Sequence, residues 1–265
     1  MKNQIVCFSK LLNIYYTRQV KMLVRSYLRE TIDGIVYKNI ECESEMIDVI
    51  NMFFDEFIVD VPIYKFVISQ FDMIVRSLDW ENYVKKIIEE GVSIIAVEEK
   101  TNNLVGFYIN SIIDLQSASE DKVNSKCDLD ESKCDLLKNE KLDLHRISDY
   151  LCEEMGDVND LLLERIPNLQ KIFDSYAIST SRKLRGRSIG YNLQKYSIKI
   201  ARNVGTQCAL VFTANLITDK ILHKLNFVNI KRKAWNTFQI DGKKIFENYQ
   251  DEEDCGNTFY LDLTN

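Results

Sequence analysis

The chain has 265 residues, with 34 Lys and Arg against 40 Asp and Glu and a net charge of −6. That length holds one large or two small domains and a sizeable core, while the acidic balance argues against nucleic acid as the main partner. Seven cysteines are scattered with no CxxC pair and only two histidines occur, His145 and His223. Neither a zinc site, a disulfide framework nor any other metal is therefore expected. No apolar run of about 18 residues is present, so no membrane span is expected. Reduced thiols fit a cytoplasmic protein.

Residues 1–29 carry Lys2, Lys10, Arg18, Lys21, Arg25 and Arg29 and no acid, the composition of a mitochondrial transit peptide. Residues 1–32 read as an N-terminal extension with Met22 as an alternative start, and a single domain runs from 33 to 265. A strand is expected at 35–40. Ser44 then caps a helix whose apolar face is Met46, Ile47, Ile50, Phe53, Phe54 and Phe57. Asp79 caps a second helix that turns Trp80, Val84, Ile87 and Ile88 inward and stops at Gly91. Strands at 93–98 and 104–113 form a hairpin, the first apolar enough to be covered on both faces.

Residues 114–143 are polar, lack aromatics and contain the duplication SKCDLDESKCDLL, which reads as an insert. Residues 149–170 are helical in tendency up to Pro167. A strand follows at 172–180, then a helix at 189–204 with the stripe Ile189, Leu193, Tyr196, Ile200 and Val204, closed by Gly205. A strand at 208–212, a helix at 217–225 and a strand at 227–231 come next. The pair Asp241-Gly242 turns a hairpin between 238–240 and 244–246, and a last strand covers 259–263. The pattern is α/β with a mixed sheet.

Between the strand ending at 180 and the helix starting at 189 lies RKLRGRSIG, with Arg182, Lys183, Arg185, Gly186, Arg187 and Gly190. A strand leading through a basic turn into a helix makes an anion site, because the first helical N–H groups lack partners and the helix dipole favours negative charge. Alone, the stretch reads by default as a solvated basic turn, with a phosphate cradle and a nucleic-acid patch as the alternatives. It is neither a GxxxxGK[ST] loop nor GxGxxG.

Order along the chain narrows the choice. Arg185-Gly186-Arg187-Ser188-Ile189-Gly190 resembles the Arg/Gln-x-x-Gly-x-Gly/Ala signature of GNAT-fold N-acetyltransferases. Asn215, Thr218, Leu225 and Phe227 fall where that family has its next motif. Phe57-Ile58-Val59-Asp60-Val61-Pro62-Ile63 is similar to the Phe-x-x-Asp-Glu-Pro-Leu stretch of the invertebrate arylalkylamine N-acetyltransferases. Asp241-Gly242-Lys243-Lys244-Ile245-Phe246 also matches a hairpin of that subgroup.

The resemblance implies a GNAT fold, a mixed central sheet flanked by helices. It also implies direct transfer from acetyl-CoA to a small primary amine, an arylalkylamine such as dopamine, tyramine or serotonin. No nucleic acid, membrane or metal is required, and a monomer is expected. Backbone groups of Ile178, Ser179 and Thr180 would orient the thioester. Arg185, Gly186, Arg187, Ser188, Ile189, Gly190 and Asn215 would hold the cofactor, and Val61, Pro62 and Tyr64 would meet the amine, with Phe54, Phe57 and Phe66 as further aromatic candidates. Two departures bear on chemistry. Ser188 replaces a glycine of the phosphate signature, and Val61 replaces the subgroup's glutamate, leaving Asp60 as the nearest base. Thr218 stands where a serine hydroxyl would face the sulfur, Ala214 lacks a hydroxyl, and His223 reads as a surface residue. The alternative is an impaired GNAT module that binds acyl-CoA or a protein partner.

Overall fold

A computed structural model describes residues 28–116, 142–155, 158–240, 243–250 and 254–264. The transit-like segment, most of the polar insert with its duplication and Cys127/Cys134, and the Asp241-Gly242 turn lie outside the described residues. Strand β1 (Arg29–Ile32) pairs antiparallel with β2 (Ile35–Asn39), and Leu28 before it is buried. Asp33 and Gly34 between them both have positive φ, 50° and 73°, as a two-residue hairpin turn demands. The sheet thus begins four residues before the domain start expected at 33.

Helix α1 (Glu43–Met52) runs into a π-helical turn, Phe53–Phe57, and then a short α2 (Ile58–Asp60). Cys42 rather than Ser44 stands at the N-cap of α1, without a side-chain bond. Ile47 is 50% exposed, and Val49 and Met52 fill the inner stripe instead. Val61 is extended (φ −70°, ψ 118°), as a residue before proline must be, and Pro62 opens α3 (Pro62–Gln70). After β3 (Met73–Ile74), α4 (Leu78–Glu89) is capped not by Asp79 but by Ser77, whose Oγ accepts from the Trp80 N–H at 3.3 Å.

Strands β4 (Ile94–Glu98) and β5 (Leu104–Asp114) form the expected hairpin. The short β6 (Leu142–Asp143) pairs parallel with β3 and leads into α5 (Leu144–Met155) and α6 (Asn159–Arg165). The site-bearing half follows: β7 (Lys171–Thr180), α7 (Ile189–Asn203), β8 (Cys208–Thr213), α8 (Leu216–Lys224) and β9 (Val228–Ala234). A two-residue ladder, β10 (Gln239–Ile240) with β11 (Lys243–Lys244), precedes β12 (Cys255–Asp262).

The main sheet has eight strands in the order β1-β2-β4-β5-β7-β8-β12-β9. Only β7 and β8 run parallel, so the sheet is mixed, as the sequence implies. On one face Phe107 of β5 packs with Phe53 of the π-helical turn, Trp80 of α4 and Ile147 of α5; on the other Tyr37 and Tyr108 of the sheet pack with Leu193 and Ile200 of α7. Each such fully buried side chain stabilises the fold by roughly 1.5–3 kcal/mol. Gly106 lets α7 lie close to the sheet: a Cβ there would sit 3.0 Å from the Ser179 carbonyl and 3.2 Å from Leu193 Cδ1.

Two features of β7 open the sheet. Its ladder with β8 ends at Ser175↔Val211, whereas its ladder with β5 continues to Thr180↔Gly106. Opposite Ile109 and Asn110 the register shifts, so Tyr176 is an extra, bulged residue. Beyond that point β7 leads to the basic turn and β8 leads to α8, and the strands part.

Candidate active site

The parting of β7 and β8 forms a groove of about 1040 Å³. Arg185, Gly186, Ser188, Ile189 and Gly190 line one end, and Ile178, Ser179 and Thr180 line the open edge of β7. Ala214, Asn215 and Thr218 face them from the β8–α8 side, and Phe57, Asp60, Val61, Tyr64 and Tyr176 form the other end.

The basic end is a backbone device. Gly186 (φ 82°) and Ser188 (φ 59°) both adopt the left-handed conformation, with Ser188 as the N-cap of α7. The first helical bond runs from the Asn192 N–H to the Ser188 carbonyl at 3.0 Å. The N–H groups of residues 189–191 therefore lack helical acceptors and sit at the groove. The left-handed turn explains the glycine expected at 188: a side chain there costs about 1–2 kcal/mol. Serine keeps the turn at that cost.

Three sequence-predicted residues make further structural contacts or set an element's start. Arg187 turns away and donates from Nη2 to the Asp33 carbonyl at 3.1 Å, tying the cradle to the first hairpin. Pro62 is not among the groove-lining residues; it sets the start of α3. Asn215 lines the groove while capping α8, its Oδ1 accepting from the N–H groups of Ile217 (2.8 Å) and Thr218 (3.4 Å).

Asp60 lines the groove and is held by two arginines. Arg182 Nε donates to both carboxylate oxygens at 3.0 Å, and the terminal nitrogens of Arg182 and Arg185 donate to one oxygen each. The Arg182 N–H also reaches Glu56 at 3.3 Å. Partial burial pushes the Asp60 carboxyl up, but the two guanidiniums outweigh it and hold the group below the usual carboxylate range. A carboxylate so held is a weak proton acceptor. Asp60 thus ties the end of α2 to the basic turn through Arg182 and Arg185.

No protein-family profile matches the chain, and no curated protein is found to resemble it in sequence. Solved structures do resemble it. Arylalkylamine N-acetyltransferase 2 from Aedes aegypti superposes with a TM-score of 0.66 at 18% identity, over 88% of this chain and 100% of that one. A putative arylalkylamine N-acetyltransferase 7 from the same mosquito gives 0.65 at 16% identity, over 94% and 99%. A polyamine N-acetyltransferase from Drosophila melanogaster gives 0.62 at 12% identity, over 86% and 99%. The fold is that of the GNAT acetyltransferases.

Within this GNAT fold the end of the groove away from the basic turn is aromatic. Phe57 and Tyr64 line it, whereas Phe54 lies in the core and Phe66 packs on Phe246 and Tyr249. Tyr64 shares a 2.8 Å hydrogen bond with Ser148. Tyr176 accepts from Trp80 Nε1 at 2.8 Å. Sequence reasoning missed Tyr176, Phe212 and Lys224, which also line the groove. It placed Arg182 in the basic turn but not its pairing with Asp60, 122 residues away. His223 is exposed and borders a separate polar cavity on the far side of α8, as a surface residue would. Asp219 anchors α8: its carboxylate accepts from Thr213 Oγ1 and, at 2.9 Å, from Asn257 Nδ2. Burial raises its pKa against those two donors. Among the described residues there is no cluster of three metal-ligating side chains, and no helix long and apolar enough to cross a membrane.

Proposed function

We propose that the chain is an acetyl-CoA-dependent N-acetyltransferase that transfers acetyl directly to a small primary amine, an arylalkylamine such as dopamine, tyramine or serotonin. The observation that carries this reading is the groove. One strand edge joins a cradle of unpartnered N–H groups to an aromatic pocket. Arg185, Gly186, Ser188, Ile189 and Gly190 would hold the pyrophosphate of acetyl-CoA through backbone N–H groups and one guanidinium. The open edge of β7 at Ile178, Ser179 and Thr180 would orient the thioester and stabilise the charge that grows on its oxygen. Thr218 would face the leaving sulfur.

The acceptor end favours a monoamine with an apolar body. Phe57, Val61, Ile63 and Tyr64 line it, and Asp60, the only acid lining the groove among the described residues, is neutralised by Arg182 and Arg185. A second cationic group on the substrate would find no counter-charge there. A thiol-release assay over dopamine, tyramine, serotonin and polyamines tests the reading. Turnover is expected with the aryl substrates, and CoA binding without turnover of any amine would sink it. That result would favour an acyl-CoA-binding module without chemistry, a reading supported by Val61 and the pinned Asp60.

A further inference from the structure

Acetyl transfer moves a proton from nitrogen to sulfur, and Tyr176 is one of the hydroxyl-bearing residues that line the groove. Tyr176 is the bulged residue of β7, the first position past the last β7–β8 pair, and it lines the groove. It lies four residues before Thr180 at the cradle end, which is ~13 Å of strand at about 3.3 Å per residue. A thioester arm anchored at the cradle and laid along the open edge of β7 past Ile178 would run toward it.

The phenol is held rigidly. Its ring stacks on Phe53 (6.0 Å, 20°) and meets Tyr83 edge-on (5.6 Å, 67°). Trp80, fully buried and stacked on His145 (5.2 Å, 10°), donates to its oxygen at 2.8 Å. An indole N–H can only donate, so the phenol oxygen is the acceptor in that bond and the hydroxyl proton points elsewhere.

We propose, resting on the transfer reading above, that Tyr176 is a further catalytic residue whose hydroxyl relays the proton from the acceptor nitrogen to the leaving sulfur. The nitrogen lone pair forms the N–C bond, and the C–S bond breaks with its electron pair passing to sulfur. The nitrogen then gives its surplus proton to the phenol oxygen while the phenol gives its own to sulfur. One amide and one thiol result, and the tyrosine ends as it began. Trp80 is a positioning residue: its N–H fixes the phenol oxygen and stabilises the negative charge that gathers on it during the exchange.

Steady-state kinetics of the full chain with acetyl-CoA and an arylalkylamine, across pH, test this with Tyr176→Phe and Trp80→Phe. Tyr176→Phe keeps the ring contacts and should lower kcat by about 100-fold or more, with CoA affinity by calorimetry unchanged. Trp80→Phe should lower kcat by less and displace the high-pH limb of the rate profile, which a purely structural tryptophan would leave in place. A Tyr176→Phe protein with wild-type kcat and pH profile overturns the relay. Should that variant not fold, an unmoved high-pH limb in Trp80→Phe overturns it. Wild type that binds CoA but acetylates no amine removes the transfer reading and the relay together. Active wild type with an indifferent Tyr176→Phe removes the relay alone.

Discussion

The two ends of the groove are built on different principles. The cradle is backbone: two left-handed residues, a helix start and unpartnered N–H groups, with Arg185 as its one charged lining side chain. The acceptor end is side chain: Phe57, Tyr64 and Tyr176 standing on a buried floor of Phe53 and Trp80. A backbone device depends on a few local residues and can be altered without disturbing the core. A pocket made from core aromatics cannot be altered without cost to the fold.

Truncating each end should separate the two. Trp80→Ala should lower the free energy of unfolding by about 3–5 kcal/mol, because it leaves a cavity beneath the acceptor end; denaturant titration reads this directly. Arg185→Ala should leave stability nearly unchanged and weaken CoA binding by about 10- to 100-fold, the scale of one charged hydrogen bond, as measured by calorimetry. An equal loss of stability in both variants would erase the distinction. Ser188→Gly should raise stability by up to about 1 kcal/mol, as relief of the left-handed strain exceeds the added freedom of the unfolded chain.

The smallest effect concerns the fastener between the two ends. Because the Asp60 pKa is depressed in the fold, its ion pairs add stability above the unfolded carboxylate value of about 3.9. That contribution is lost as pH falls through the folded value. Wild type should therefore lose its advantage over Asp60→Asn in acid, and high salt should shrink the advantage at neutral pH. Parallel acid-unfolding curves for the two proteins would show that the latch does not form.

This contrast also explains what the sequence disclosed. The cradle was legible because Gly186, Gly190 and the strand-to-helix switch follow local backbone rules. The strands β4, β5, β7 and β8 were legible from apolar runs. Arg182 was hidden in a charged turn because its partner lies on another element. Tyr176 reads as one more strand aromatic, since the bulge that turns it to the groove arises from pairing with β5 rather than from its own neighbours. The caps at Cys42 and Ser77 were each misplaced by two residues, where several polar residues competed for the helix start. Strand β1 escaped notice because four residues on a sheet edge show little periodicity.

The early end of the β7–β8 ladder has a mechanical consequence. Four residue pairs join the β1-to-β7 part of the sheet to the β8, β12 and β9 part, whereas nine join β5 to β7. The sheet is thus two plates sharing a short seam, and the groove is the slot left where the seam stops. An extended molecule in that slot acts as a splint, supplying contacts that the absent ladder would have made. Amide hydrogens along the seam should exchange more slowly once it is filled.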